Sequence, residues 1–277
     1  MTVGVVGLGL IGGSLAKAYK EHVEIAVYGF DIDSSILGFA QVAGAIDGVL
    51  DENTLGLCDC VLIAIYPSAT IEYLKSAAPM IPQNTIVFDC CGVKRFVCEP
   101  CFKIASEYGF TFVGTHPMAG THNSGFKASR ANLFKGAVMA LVPPVYDDIG
   151  LFGRIEELLK PVGFGRLTIT TAEKHDEIIA FTSQMAHVVS NAYIKSPTAT
   201  AHKGLSAGSY KDLTRVARLD PDMWSELFLE NGDALVKEID FLISSLGKYR
   251  DAIADRDLTR LRGMLDEGSR LKKEIDS

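Results

Sequence analysis

The chain holds a single tryptophan among 277 residues, and positive charge is scarce: 27 lysines and arginines face 34 aspartates and glutamates, a net charge of −7 at pH 7. That deficit disfavours nucleic acid or an anionic membrane as a partner, while leaving room for a local basic pocket that takes a small anion. No apolar run approaches the roughly 18 residues of a membrane span. The first residues run straight into a β-branched stretch, without the basic region, apolar core and cleavage site of an export signal. A cytoplasmic protein with no membrane contact is expected. Cysteine is absent outside one segment, where Cys58, Cys60, Cys90, Cys91, Cys98 and Cys101 lie close together. Cys98-Glu-Pro-Cys101 is a C-x-x-C, but nothing pairs with it at zinc-knuckle spacing, so reduced thiols filling small buried positions are expected, and no metal.

What is present begins at Val3. The run Val3–Val6 meets Gly7-Leu8-Gly9-Leu10-Ile11-Gly12, and the helix-forming run Leu15–Lys20 follows. Strand, G-x-G-x-x-G and helix in that order are the context in which the motif signals a dinucleotide site. Gly7 makes the tight turn, Gly9 lets the backbone approach a pyrophosphate, and Gly12 lets helix and strand pack closely. The phosphates would rest on the helix N-terminus formed by Leu10 and Ile11. A second strand, Ile25–Phe30, ends in Asp31, 24 residues beyond Gly7. A carboxylate there accepts hydrogen bonds from the adenine ribose and repels a 2′-phosphate, so NAD is expected rather than NADP.

Strands and helices then alternate. Val61–Ile65, Thr85–Asp89, Thr111–Gly114, Ala137–Val142 and Gly165–Thr168 read as strands, separated by helices that include Ala69–Ala78 and Val93–Tyr108. The alternation predicts a doubly wound parallel sheet of Rossmann type. Tyr66-Pro67 forms a turn at the C-terminal end of one strand, where such sheets hold ligands, and both residues are expected at the cofactor. After Thr170 the alternation stops. Ala172–Ser196 reads as one long helix ended by Pro197, followed by helical stretches over Leu213–Leu219, Met223–Asn231, Gly232–Asp251 and Leu258–Ile275. The expected organisation is an α/β nucleotide-binding domain over residues 1–170 and an all-helical domain over 171–277.

Gly114-Thr115-His116-Pro117-Met118-Ala119-Gly120-Thr121 falls just after a strand, at the ligand edge of the sheet. An imidazole there has the right acidity to take a proton from a hydroxyl while hydride leaves the same carbon. With the glycine turn, Asp31, Asp89-x-x-x-Val93-Lys94, His175-Asp176, His187, Lys211–Ala217 and Asp220-Pro221-Asp222-Met223-Trp224, this stretch resembles the prephenate and arogenate dehydrogenases in order and spacing. The resemblance runs from Val3 to about Leu246.

That resemblance implies an enzyme of tyrosine biosynthesis, an NAD-dependent oxidoreductase that oxidatively decarboxylates its substrate. His116 matches the catalytic histidine that accepts a hydrogen bond from the substrate hydroxyl. Arg215 matches the arginine that grips the ring carboxylate, the alternative being a surface ion pair with Asp212. His187 matches a histidine near the side-chain carboxylate, the alternative being a satisfied core histidine. Lys94, Thr121 and His122 complete the expected substrate site. A homodimer through the helical domain is implied, and neither a chorismate mutase nor an ACT domain is expected in the chain.

Two residues depart from the family pattern. Gly92 stands where a serine usually touches the substrate hydroxyl, leaving water, Cys91 or Thr115 to compensate. His122 stands where many relatives carry an acidic residue facing the substrate side chain. A carboxylate there would favour the ammonium of arogenate or of feedback tyrosine, so His122 points to prephenate as substrate and to weak tyrosine inhibition. Arogenate is the alternative substrate. Further alternatives are another NAD-dependent hydroxy-acid dehydrogenase, which would need a helical-domain lysine such as Lys195 or Lys203, and a non-catalytic NAD-binding regulator.

Overall fold

The computed structural model describes residues 1–121, 123–201 and 204–276. Eight strands form one sheet in the order β3-β2-β1-β4-β5-β6-β7-β8: β1 Thr2–Val6, β2 Ala26–Phe30, β3 Gly48–Val49, β4 Cys60–Ile63, β5 Ile86–Asp89, β6 Thr111–Pro117, β7 Val138–Val142 and β8 Arg166–Ile169. Strands β1 to β6 run parallel. The chain direction reverses at the last connection: β7 pairs antiparallel with β6, and β8 runs parallel to β7. The sheet is therefore mostly, not wholly, parallel.

Apolar side chains cover both faces. Cys60, Leu62 and Phe88 pack on one side with Leu15 and Tyr19 of α1 (Leu10–Lys20) and Ile155 of α6 (Ile149–Leu159). Val61, Ile63 and Val87 pack on the other with Leu74 of α4 (Pro67–Ala77) and Val97 and Cys101 of α5 (Arg95–Tyr108). Residues of one strand thus alternate between the two cores, as the period of two requires. Two short helices, α2 (Ser34–Val42) and α3 (Glu52–Leu55), complete this part. Helix α5 runs unbroken through Pro100. Pro67 opens α4 rather than forming a turn before it, at the first helical position where a missing N–H costs nothing.

The helix expected over Ala172–Ser196 ends at Tyr193 and changes pitch in the middle. It comprises α7 (Ala172–Ile179), a π-helical segment over Ala180–Met185 and α8 (Ala186–Tyr193). The next helix, α9, lies over Gly208–Thr214 instead of Leu213–Leu219. Helix α10 (Pro221–Glu230) starts at Asp220, whose side chain accepts from the amide of Met223, followed by Pro221 at the first helical position. Helices α11 (Gly232–Ala254) and α12 (Leu258–Asp276) end the chain. The compact units are Met1–Asn231 and Gly232–Ser277, with α7 to α10 in the first of them. No helix among the described residues is long and apolar enough to cross a membrane.

Candidate active site

The glycine turn lies at the C-terminal end of β1, where the strand order reverses between β1 and β4, the usual place for a ligand in an open parallel sheet. Gly7 has φ +82°, and a Cβ there would sit 2.6 Å from the carbonyl oxygen of Ala64. A Cβ on Gly12 would lie 1.8 Å from the carbonyl oxygen of Gly7, so helix and turn touch backbone to backbone. Gly9 faces open space. It caps α1 without any side-chain hydrogen bond, and the first turn holds no acidic residue. The free amides at Leu10 and Ile11 are thus left for an anion. The carboxylate of Asp31 accepts from the amide of Leu8 at 2.8 Å, which ties the end of β2 to the turn. These residues fit the pyrophosphate and ribose of NAD.

The second part of the site is built around β6. As far as Val113 this strand pairs with β5; from Gly114 to Pro117 it pairs with β7 instead. His116 is therefore on a strand, not in the loop expected from the sequence, and the strand fixes its direction. Beneath it the buried Asp89 joins the two strand ends, accepting from the amides of Thr115 at 2.8 Å and Cys91 at 2.9 Å. The Lys94 ammonium contacts the Asp89 carboxylate and the Thr115 carbonyl, and neither Lys94 nor Asp89 is exposed. Burial alone would lower the Lys94 ammonium, but Asp89 and the thiols of Cys98 and Cys91 outweigh it and hold the group above the ordinary lysine range. Lys94 is consequently not a substrate ligand. Its charge is spent on Asp89, and it supports the strand that carries His116.

The imidazole of His116 continues into α7. Its Nδ1 lies 3.0 Å from Nε2 of His175, whose Nδ1 lies 2.7 Å from Oδ1 of Asp176. Asp176 also accepts from the amides of Lys94 at 2.7 Å and Arg95 at 2.9 Å. Burial opposes its ionisation, but these hydrogen bonds and the one from His175 prevail and keep the carboxyl below its usual range. An ionised carboxylate only accepts, so His175 donates from Nδ1. The lone pair on its Nε2 then accepts from Nδ1–H of His116, and the lone pair of His116 is left on Nε2. Burial, His175 and Lys94 together push His116 well below the ordinary histidine range. The ring is neutral at pH 7 and can act as a base.

A third group sits on α8 and α10. His187 stacks on Trp224, with ring centroids 3.9 Å apart, and its Nδ1 donates to the carbonyl of Ser183 at 2.8 Å. Burial lowers His187, and the charge of Arg215, at the C-terminal end of α9, lowers it further. Arg215 is exposed and pairs with no acid among the described residues, Asp212 included. Helix α10 links this group to the others. Trp224 meets His187, Glu226 accepts from the amide of Ser68 at 2.9 Å, and Leu227 lies 3.5 Å from where a Cβ of Gly92 would be. Tyr66 feels the charges of Asp220, Asp222 and Glu226, which places it beside the start of the same helix. Asn231 closes the arrangement by donating to the carbonyl of Asp176 and to Gln184 in the π-helical segment.

Of the expected residues, the structure joins Lys94 and His116 in one cluster, and His187 with Arg215 in another. Thr121 is exposed and bonds within its own loop, to Asn123. His122 and Lys203 lie outside the described residues. Neither residue offered as a substitute for the missing serine faces His116: the Thr115 hydroxyl contacts the carbonyl of Asp89, and the Cys91 thiol lies beside Thr70 and the carbonyl of Ile65. The six cysteines are unpaired, and burial raises their thiols, that of Cys101 to about 12. No cluster of metal-ligating side chains occurs among the described residues. His175, Asp176 and Leu227 were not singled out as site residues; the His-Asp pair was visible only as part of a family motif.

Comparison with known proteins identifies the family. The family model "Prephenate dehydrogenase, nucleotide-binding domain" matches residues 15–167, and "Prephenate dehydrogenase, dimerization domain" matches residues 171–267. The cyclohexadienyl dehydrogenase of Zymomonas mobilis is 31% identical over 92% of this chain and 89% of its own length. The prephenate dehydrogenase of Bacillus subtilis is 29% identical over 94% and 72%. The solved structure of Aquifex aeolicus prephenate dehydrogenase with hydroxyphenyl propionate and NAD+ superimposes with a TM-score of 0.86 at 28% identity, covering 99% of this chain and 98% of that one. Synechocystis arogenate dehydrogenase gives 0.82 at 25% identity, covering 99% and 100%. With a glycine turn shaped for a dinucleotide, a neutral histidine on the strand beyond it and family models that together match most of its length, this chain belongs to the prephenate dehydrogenase family, whose members are NAD-dependent oxidoreductases.

Proposed function

We propose that the chain catalyses the oxidative decarboxylation of prephenate to 4-hydroxyphenylpyruvate, with NAD as cofactor. The observation that carries this reading is the place of His116, a neutral imidazole near the end of β6 with the His175–Asp176 pair in line behind its Nδ1. NAD, when bound on the glycine turn, supplies the acceptor for the hydride that leaves the ring carbon bearing the hydroxyl. His116 takes the hydroxyl proton as that hydride departs. Loss of carbon dioxide sends its carbon–carbon electron pair into the ring, and the oxygen recovers the proton as the ring aromatises. Because aromatisation drives the reaction, the protein's share is orientation and placement of charge. Arg215, exposed and without an acidic partner among the described residues, suits the ring carboxylate as a bidentate ligand. In this reading His187, stacked on Trp224, stands at the other end of the substrate.

Reduction of NAD with prephenate, against arogenate as competitor, tests the substrate. Higher kcat/KM for prephenate with weak tyrosine inhibition is expected from a histidine at position 122, whereas clear arogenate preference overturns that choice. The likeness to Synechocystis arogenate dehydrogenase is what favours the second reading, arogenate oxidised directly to tyrosine. Substituting His116→Asn should lower kcat by about 10²–10⁴-fold, the usual worth of a general base, with NAD affinity nearly unchanged. The setting we infer is cytoplasmic and the assembly a homodimer, supported by the dimerization-domain match and by the exposed Phe241, Ile243 and Leu246 on α11. Sedimentation equilibrium should give twice the chain mass.

A further inference from the structure

His175 and Asp176 are 4% and 0% exposed, deeper than the imidazole of His116 they sit behind, and the three side chains form one line of hydrogen bonds. The proposed reaction needs a base at His116 but does not itself call for a second imidazole. We infer that His175, held by Asp176, is a positioning residue and proton relay for His116: it fixes the tautomer that bares Nε2 and takes over the Nδ1 proton once Nε2 is protonated. The inference rests on His116 being the acceptor of the substrate's proton.

The surrounding charges set the direction of the relay. His116 faces Lys94, which disfavours a positive charge on its ring. His175 is also close to Lys94, but it faces two carboxylates, Asp176 and Asp89, which favour the charge there. The other groups around the line are the Arg95 guanidinium on Asp176, the Cys98 thiol of α5 and the Glu230 carboxyl of α10. Both imidazoles lie below the ordinary histidine range, His116 further than His175, on which the carboxylates of Asp176 and Asp89 act against burial. An added proton is therefore better held as an imidazolium at His175, against Asp176, than at His116.

The steps balance without any further reagent. The hydroxyl proton moves to Nε2 of His116 as hydride leaves the carbinol carbon. The Nδ1 proton of His116 moves to Nε2 of His175, which becomes an imidazolium paired with Asp176, while His116 stays neutral. After carbon dioxide departs, His175 returns its proton to Nδ1 of His116 as the phenolate oxygen takes the proton back from Nε2, and both rings regain their starting tautomers. The proton is lent and returned, and no net charge is left in the site.

Long-range 1H–15N correlation of the histidine rings in the full chain, without substrate, reads the tautomers directly. At pH 8 His116 is expected to carry its proton on Nδ1; a proton on Nε2 overturns the inference whatever the activity. His175→Gln keeps an amide oxygen able to accept from His116 but no relay site. This variant should retain the His116 tautomer, lose about ten- to a hundred-fold in kcat with KM within about two-fold, and shift the acid limb of kcat/KM to lower pH. The limb moves down because the pair has lost the place where a proton is best held. Unchanged kcat and an unmoved acid limb overturn the relay. If His116→Asn keeps full kcat, the acceptor reading itself fails and the relay with it, whereas a wrong tautomer removes the relay alone.

Discussion

Asp89 with Lys94 and Asp176 with His175 are both buried carboxylate–base pairs, one beneath β6 and one beside it, and both act on His116. Asp89 spends its oxygens on two amides and an ammonium that stays charged at any pH the protein meets, so that pair holds one arrangement. It ties β5 to β6 beyond the point where their ladder stops. Asp176 likewise gathers amides, from Lys94 and Arg95, and the Arg95 guanidinium, but its fourth partner is an imidazole. Histidine changes charge near neutrality, so this pair can respond to a proton arriving next door. With similar carboxylates on both sides, the base alone decides whether a buried pair is a brace or a switch.

The sharpest way to break the comparison is to remove one charge from the brace. Lys94→Met leaves the Asp89 carboxylate buried without its cation and should cost about 3–5 kcal/mol of stability, read from the midpoint of denaturant unfolding. A loss under about 1 kcal/mol would mean that Asp89 sheds its charge with ease. A smaller effect should come from pH. His116, His175 and His187 all hold pKa values below that of an unfolded histidine, so below about pH 6.5 the unfolded chain binds more protons than the folded one. Stability is complete above that pH and falls as the pH drops below it, by up to about 1.4 kcal/mol per pH unit for each such histidine. Unfolding midpoints at pH 7.5, 6.5 and 5.5 measure this; His175→Gln should remove one share of the slope, and Lys94→Met, which takes away a cation that holds His116 and His175 down, should make it shallower.

The smallest expected change concerns Gly92. A Cβ at this position would meet Leu227 at 3.5 Å and Cε1 of His116 at 3.9 Å, ordinary contact distances. Gly92→Ser should therefore leave stability within about 0.5 kcal/mol and place a hydroxyl beside the base. One added hydrogen bond of about 1 kcal/mol to the substrate hydroxyl corresponds to a roughly five-fold gain in kcat. Gly92→Ala, which fills the same space without a donor, should show no gain. Equal rates in the two variants would mean that the missing serine is already compensated.

The parts of the site that were legible in sequence are those made by neighbours in the chain. Gly7, Gly9 and Gly12 shape one turn, and Asp31 follows at the end of the next strand, so composition and spacing carry the message. His116 was placed at the correct edge of the sheet, but as a loop residue, because nothing local shows that β6 runs on to Pro117 against β7. Lys94 was expected in the substrate site through the family motif and is instead buried against Asp89. The π-helical turn at Ala180–Met185, which brings Gln184 to Asn231 and to the carbonyl of Leu227, has no signature in an otherwise regular helical pattern.

By itself the sequence determined the nucleotide-binding turn, the alternation that builds the sheet and the acid–base residue types, because short-range geometry and side-chain chemistry suffice for those. Tertiary structure alone decided which base meets which acid. His116 and His175 are 59 residues apart on different elements, and Leu227 reaches Gly92 from a third. Hydrophobic periodicity says which face of a strand or helix is buried, but it does not say what that face will touch. The tautomer of His116, and with it the direction in which a proton can move, follows from that contact.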